Sequence, residues 1–209
     1  MGTGITAQHP STKLTVGAQY IAFNTMAADG TWQNTFDTTI YKLPTVVDVE
    51  IKDSNDSYDS YASGETYESD TQTSYKEISE TNLAFPEELL AKMNGDTVTD
   101  GVILENGMKT RPYFAYGMVV KKKDETLDLR WYPKCKKTDN SDKTATSEDK
   151  HKDQTDTITI KSYGYDADQN KCVRVLTSST TYKDLTEDKF FAKPLTTEAE
   201  VKALVTAGA

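Results

Sequence analysis

Ten carboxylates stand between Asp48 and Glu80 against two lysines, Lys52 and Lys76, so this stretch carries a local charge of −8 out of a net −9. The rest of the chain holds 22 basic and 23 acidic residues and is close to neutral. Carboxylates at such density could act as an acid and base pair, bind a hard cation, or repel anions. A glycosidase-type pair needs two acids set apart by their environments, and no apolar pocket singles out two of these ten. A calcium loop can be aligned on Asp53-Ser-Asn55-Asp-Ser57-Tyr58. It then puts Tyr58 where the loop requires glycine and Gly64 where it requires a bidentate glutamate. The residues therefore read as a solvated turn, with a weak cation site stabilised in an assembly as the open alternative.

Other chemistry lacks its parts. The two histidines fall in polar surroundings, His9 near the amino terminus and His151 in a charged stretch, away from any nucleophile and orienting carboxylate. No GxSxG, Walker loop, GxGxxG or HExxH motif occurs. Cys135 and Cys172 show no CxxC spacing and make no disulfide framework, which fits a reducing compartment. No catalytic residue, cofactor or metal is expected, and the protein is not expected to be an enzyme. The start has no basic and apolar leader, and no window of eighteen apolar residues occurs, so residence in the cytoplasm without secretion or a membrane anchor is expected. On that ground the sequon Asn55-Asp56-Ser57 is a chance match.

The elements that must carry these residues are mostly strands. Period-two alternation predicts strands over 18–24, 45–52, 113–120, 127–132, 157–163 and 172–177. In the second, Val47, Val49 and Ile51 are expected to be buried while Asp48 and Glu50 face away. The third and fourth form a hairpin around Lys121-Lys122-Lys123, which reads as a turn and not as a phosphate contact in a protein of pI near 4.8. Residues 166–170 read as a hairpin turn between the last two strands. One helix is expected over 85–94, with Pro86 in the first turn, Glu87 and Glu88 at the positive end of the dipole and Gly95 as the stop. Phe85, Leu89 and Met93 recur every four residues and give that helix one apolar stripe. A second, weaker helical pattern covers 198–205.

The acidic block reads as a long β-hairpin over 45–76 with a Ser/Asp/Asn/Gly-rich tip. Residues 133–157 hold six lysines, six acids and almost no apolar side chain. They read as a mobile polar loop that orders on a partner. The domain organisation is thus an arm over 1–14, a main domain over 15–194 and a tail over 195–209. Tyr58, Tyr61, Tyr67 and Tyr75 interleave with the acids and serve either cross-strand pairing or contact with a neighbouring subunit.

The stretch from Phe85 to Val120 carries a family resemblance. It runs Pro-Glu-Glu-Leu-Leu, Asn94-Gly95, Asp100-Gly-Val-Ile-Leu104 and Arg111-Pro-Tyr-Phe-Ala-Tyr-Gly-Met-Val-Val120, followed by Leu129-Arg-Trp-Tyr132, Asp156-Thr-Ile-Thr-Ile160 and Phe190-Phe191. Over about 110 residues this resembles the major tail protein family of phages with long, flexible, non-contractile tails. The resemblance implies a mainly β, sandwich or barrel-like tail tube fold with one short flanking helix and a long extended hairpin. It implies a virion component assembled in the host cytoplasm, six copies closing into a ring and rings stacking into a tube for the genome. It further implies partners among the tape measure, tail terminator and distal tail proteins, with DNA passing through unbound.

On that reading Asp48 and Glu50 line an acidic lumen. Asp53, Asp56, Tyr58, Asp59 and Tyr61 at the hairpin tip touch the next ring, and Asp139, Asp142, Glu148 and His151 in the polar loop touch a neighbouring subunit. The alternative is a β-sandwich module that binds carbohydrate or a cell surface through exposed aromatic residues, with Trp32 and Trp131 as candidates.

Overall fold

Seven residues in succession, Phe114 to Val120, are buried. A strand so buried must have a packed layer on each face, and the chain supplies two. A computed structural model of the chain describes residues 9–62, 65–105, 107, 110–141 and 155–206; for 58–62 and 65–70 it describes the backbone path alone. The strands are β1 (Lys13–Phe23), β2 (Tyr41–Leu43), β3 (Val46–Ala62), β4 (Glu65–Asn82), β5 (Thr97–Thr99), β6 (Val102–Leu104), β7 (Phe114–Lys122), β8 (Leu127–Ser141), β9 (Asp156–Ser162) and β10 (Val173–Leu176). The helices are α1 (Glu87–Asn94), α2 (Glu187–Phe190) and α3 (Glu198–Thr206). The fold is mainly β and antiparallel, in line with the expected sandwich-like class.

The main sheet runs β2-β1-β7-β8-β9-β4-β3, with β10 on β8. Its two edge strands, β2 and β3, are joined by Pro44 and Thr45 alone. Three peptide steps reach at most about 11 Å, so the sheet must curl until its edges meet. Val46 pairs with Asn82, and the Leu83 N–H donates to the Thr45 carbonyl at 3.0 Å, which pins that corner. Proline suits the step because it has no N–H to leave unpaired.

Alternate residues of the curled sheet fill its inside: Ile21 and Phe23 from β1, Phe114, Tyr116 and Met118 from β7, Ile78 from β4, Ile158 and Ile160 from β9. Helix α1 lays Leu89 and Met93, with Phe85 just before it, into the same cluster, as the four-residue spacing predicts. Its C-cap Gly95 adopts φ 81°, where a Cβ would be strained.

The opposite face of β1, β7, β8 and β10 is covered by residues 182–206. Leu185, Phe190, Phe191, Leu195 and Val201 join Tyr20, Val119, Leu129 and Trp131 in a second core. Phe191 stacks on Tyr20 with ring centroids 4.0 Å apart, and the Trp131 indole donates to the Phe190 carbonyl at 3.2 Å. The expected tail over 195–209 is therefore corrected. Leu195 is fully buried, and α3 is anchored by a capping box in which Glu200 accepts from the Thr197 N–H at 3.1 Å and Thr197 Oγ1 accepts from the Glu200 N–H at 3.2 Å.

Three further expectations change. Residues 133–141 continue β8 and are not loop: Pro133, Cys135 and Lys137 are buried on alternate positions, and residues 135–141 pair with β9. The hairpin extends to Asn82, because Ile78 alternates with the buried polar residues Glu80 and Asn82, which hides the apolar period. Residues 166–170 do not join a hairpin, since β9 and β10 lie end to end along the same side of β8. No described helix is long and apolar enough to cross a membrane.

A Cβ built on Gly117 would sit 2.7 Å from the Phe191 ring and 3.0 Å from Trp131. Gly117→Ala is expected to cost about 1–3 kcal/mol through overpacking, read as a lower denaturant midpoint. Gly107→Ala, with nothing within 4 Å of its Cβ, should stay within about 0.5 kcal/mol of the parent.

Candidate assembly surface

The acidic block divides according to the pleat of β3 and β4. Val49 and Ile51 pack against the inner core, so Glu50 and Lys52 face out. Val47 does not follow the expected alternation and is 51% exposed. A bulge lies there: Val46 pairs with Asn82 and Asp48 with Thr81, leaving Val47 as the extra residue.

Strand pairing then sets three outward rows across β3, β4, β9 and β8. One is Lys52, Glu77, Lys161 and Lys136; the next Glu50, Ser79, Thr159 and Asp139; the last Asp48, Thr81, Thr157 and Ser141. Asp48, Glu50 and Asp139 thus share one bare polar face, and the last two rows hold no base. A bulge in β8 between Lys137 and Asp139 turns Asp139 outward. Arg111 donates to the Lys137 and Thr138 carbonyls there, at 2.8 and 2.7 Å. Glu50 is paired with Lys52 at 2.9 Å.

Beyond Asp53 the hairpin leaves the sheet, since β9 pairs with β4 only from Lys76 to Asn82. Among the described residues, 54–62 and 65–75 form a two-stranded ribbon with no third strand, and the outer edge of β3 has no strand partner. Between Asp53 and Tyr75 the sequence holds six acids and no base. Asp53 sits at the root of the ribbon, where it pairs with Lys76, and Asp56 accepts from Ser74. Asn55 Oδ1 accepts from Thr73 Oγ1 at 2.8 Å. The reading of Asp53 to Tyr58 as a solvated turn is thereby corrected: these residues lie on the extended strand β3. Tyr58, Asp59 and Tyr61 lie on the ribbon's backbone path, their side chains outside the description; Asp142, Glu148 and His151 lie outside the described residues.

Between β3 and the start of β1 an open groove of about 540 Å³ is lined by Leu14, Val16, Val47, Asp53, Lys76 and Arg130. Arg130 is held there by Asp128, which is 1% exposed and clamped bidentately by Arg130 and Arg174 at 2.6–3.0 Å. Burial alone would raise the Asp128 carboxyl, but the two guanidinium groups outweigh it and hold it at about 2.

Sequence reasoning missed Glu80, which faces inward and is fully buried beside Gln19, Asn82 and Tyr116. With its amide nitrogen turned to the carboxylate, Gln19 donates to Glu80 Oε1 at 3.2 Å, and its oxygen lies 2.8 Å from the Asn82 amide. Burial pushes the Glu80 carboxyl up to about 7, opposed by the polar side chains of Tyr116 and Asn82 beside it. The signal available in the sequence was the alternation Ile78, Glu80, Asn82, which continues an inward face with polar residues.

No protein-family model matches the chain, and no curated protein matches its sequence. Among solved structures the chain is similar to the tube-terminating cap of the anti-feeding prophage, determined by cryo-electron microscopy, with a TM-score of 0.44 and 8% identity over 83% of this chain and 95% of that one. A likeness at that level carries no assignment of function.

The folded Glu80 carboxyl is raised above its ordinary 4.5, so its contribution is most favourable below pH 4.5 and is lost as pH rises through 7. At about 1.4 kcal/mol per pH unit, Glu80→Gln should stabilise the protein by about 3 kcal/mol at pH 8 and by little at pH 4. Denaturant midpoints measured across that range check it, and a pH-independent difference would remove the buried-charge account.

Proposed function

We propose that the chain is a non-catalytic structural subunit of a phage tail tube, which assembles into stacked hexameric rings whose lumen passes the DNA genome. The observation that carries this reading is the acidic ribbon of β3 and β4 beyond Asp53, which leaves the sheet and has no third strand among the described residues. An isolated two-stranded ribbon is marginal in water, and a 17-residue edge strand such as β3 invites pairing with another chain. Both features are liabilities in a monomer and assets in a subunit. The resemblance of Phe85 to Phe191 to tail tube proteins supports the same reading.

Asp48 and Glu50 are assigned to the lumen, and Asp139 joins them because it shares their face. DNA carries one negative charge per roughly 1.7 Å of axis, so a basic lining would hold it. An acidic lining repels it over about 8–10 Å at physiological salt and keeps a duplex moving. Asp53 and Asp56, with Tyr58, Asp59 and Tyr61, belong to the ribbon assigned to the adjacent ring. The proposed partners are further copies of the chain and the other tail proteins. The carbohydrate-binding reading loses one of its two tryptophans, since Trp131 is fully buried beneath Phe191.

Negative-stain microscopy of the purified chain over a range of concentrations and salt tests the reading. Six-fold rings or tubes are expected. A chain that stays monomeric throughout and binds a glycan through its exposed tyrosines would replace it with the binding-module reading.

A further inference from the structure

On the bare face, at the end nearest the ribbon, Lys136 and Lys161 are paired directly across β8 and β9. Like charges set opposite each other are destabilising in a sheet, yet among the described residues neither lysine has a carboxylate within ion-pair distance. Each is instead seated on an aromatic ring: Lys136 Nζ lies 4.1 Å from the Tyr113 centroid and Lys161 Nζ 4.2 Å from that of Tyr75. Lys134 Nζ lies over Tyr113 as well, at 5.7 Å, and over Trp32 at 5.4 Å. Tyr163 continues the patch, 6.3 Å from Tyr75. A cation on a ring face is held in place while its N–H groups stay open to an acceptor. The result is three oriented ammonium groups set among half-buried tyrosines.

We propose that this lysine and tyrosine patch is the receptor for the acidic ribbon of a second copy of the chain. The inference rests on the preceding reading that the chain self-associates, and it names the surface that receives the ribbon. Charge complementarity selects the occupant: the ribbon over 54–75 offers five acids, no base and the tyrosines Tyr58, Tyr61 and Tyr67. Amphipathic tyrosines and lysines suit a partner that is anionic and aromatic at once. Duplex DNA fits less well, because Asp48, Glu50 and Asp139 occupy the two adjoining rows and the protein carries a net charge of −9.

The test uses the full chain, mixed as ¹⁴N and ¹⁵N protein and treated with a carbodiimide, so that mass spectrometry separates links between copies from links within one. Links between copies that join Lys134, Lys136 or Lys161 to an acid of 53–75 are expected. The double variant Lys136→Glu, Lys161→Glu should keep its melting temperature and raise the concentration needed for assembly by about tenfold or more. Asp59→Lys with Glu68→Lys should do the same. An equal mixture of the two variants makes every contact complementary again and should restore assembly. Wild-type tubes without such links, or lysine variants that assemble normally, overturn the receptor and leave the tube reading standing. Links from a protein that never forms rings support the receptor and refute the tube. Neither links nor rings refutes both. Retention of labelled duplex DNA that is lost in the double lysine variant assigns the patch to nucleic acid and overturns the proposal.

Discussion

The architecture depends on the close approach of Phe191 to Gly117. Strand β7 lies in the middle of the curled sheet and is buried on both faces, so it needs a lid over the side that the curl leaves open. Phe191 supplies it, and comes close enough to stack on Tyr20 and meet Trp131 only because position 117 has no Cβ. From that contact the segment 182–206 spreads over β1, β7, β8 and β10, burying Leu185, Leu195 and Val201. The same segment does not reach β9, β4 and β3. One half of the sheet is therefore double-layered, and the other presents a bare outer face of threonine, serine and charged side chains.

That division organises the electrostatics. The acidic block is one feature in composition and three in space. Glu80 points into the core, where burial raises its carboxyl to about 7. Asp48, Glu50 and Glu77 point out from the bare face and are joined by Asp139 from a distant part of the chain. The remaining acids lie on a ribbon that nothing in the described chain supports. Only the last group demands an outside partner, since beyond Asp53, which pairs with Lys76, five carboxylates on two strands repel one another and no base lies among them. The lysine and tyrosine patch has the opposite defect, Lys136 and Lys161 placed side by side with no carboxylate at ion-pair distance among the described residues, Glu77 across from Lys161 included, and it lies at the root of the ribbon.

Much of this was legible in the sequence. Alternation placed the β7–β8 hairpin, the Pro86 to Gly95 signals placed α1, and Glu50 between Val49 and Ile51 was read correctly as outward. Legibility failed where polar residues carry the buried face. Pro133, Cys135 and Lys137 extend β8, and Glu80 and Asn82 extend β4, but an apolar count sees only a loop in each. Lys137 keeps an inward position although burial disfavours its charge, lowering its ammonium to about 8. The bulge that exposes Val47 has no composition signal, because it is a property of pairing. The capping box Thr197 to Glu200 was present and would have turned the weak C-terminal helix into a firm one. The candidate surface was half visible: its acids were evident, whereas the Lys136–Lys161 pairing needed the register.

The central claim is that the ribbon is completed by another chain. Hydrogen exchange of its amides, over 54–62 and 65–75, measured below and above the concentration at which the protein assembles, tests it directly. The account predicts exchange within seconds in the free chain, while β7 stays protected, and strong protection of the ribbon on assembly. Ribbon amides that are protected equally at all concentrations, or that stay unprotected in the assembled state, would contradict it.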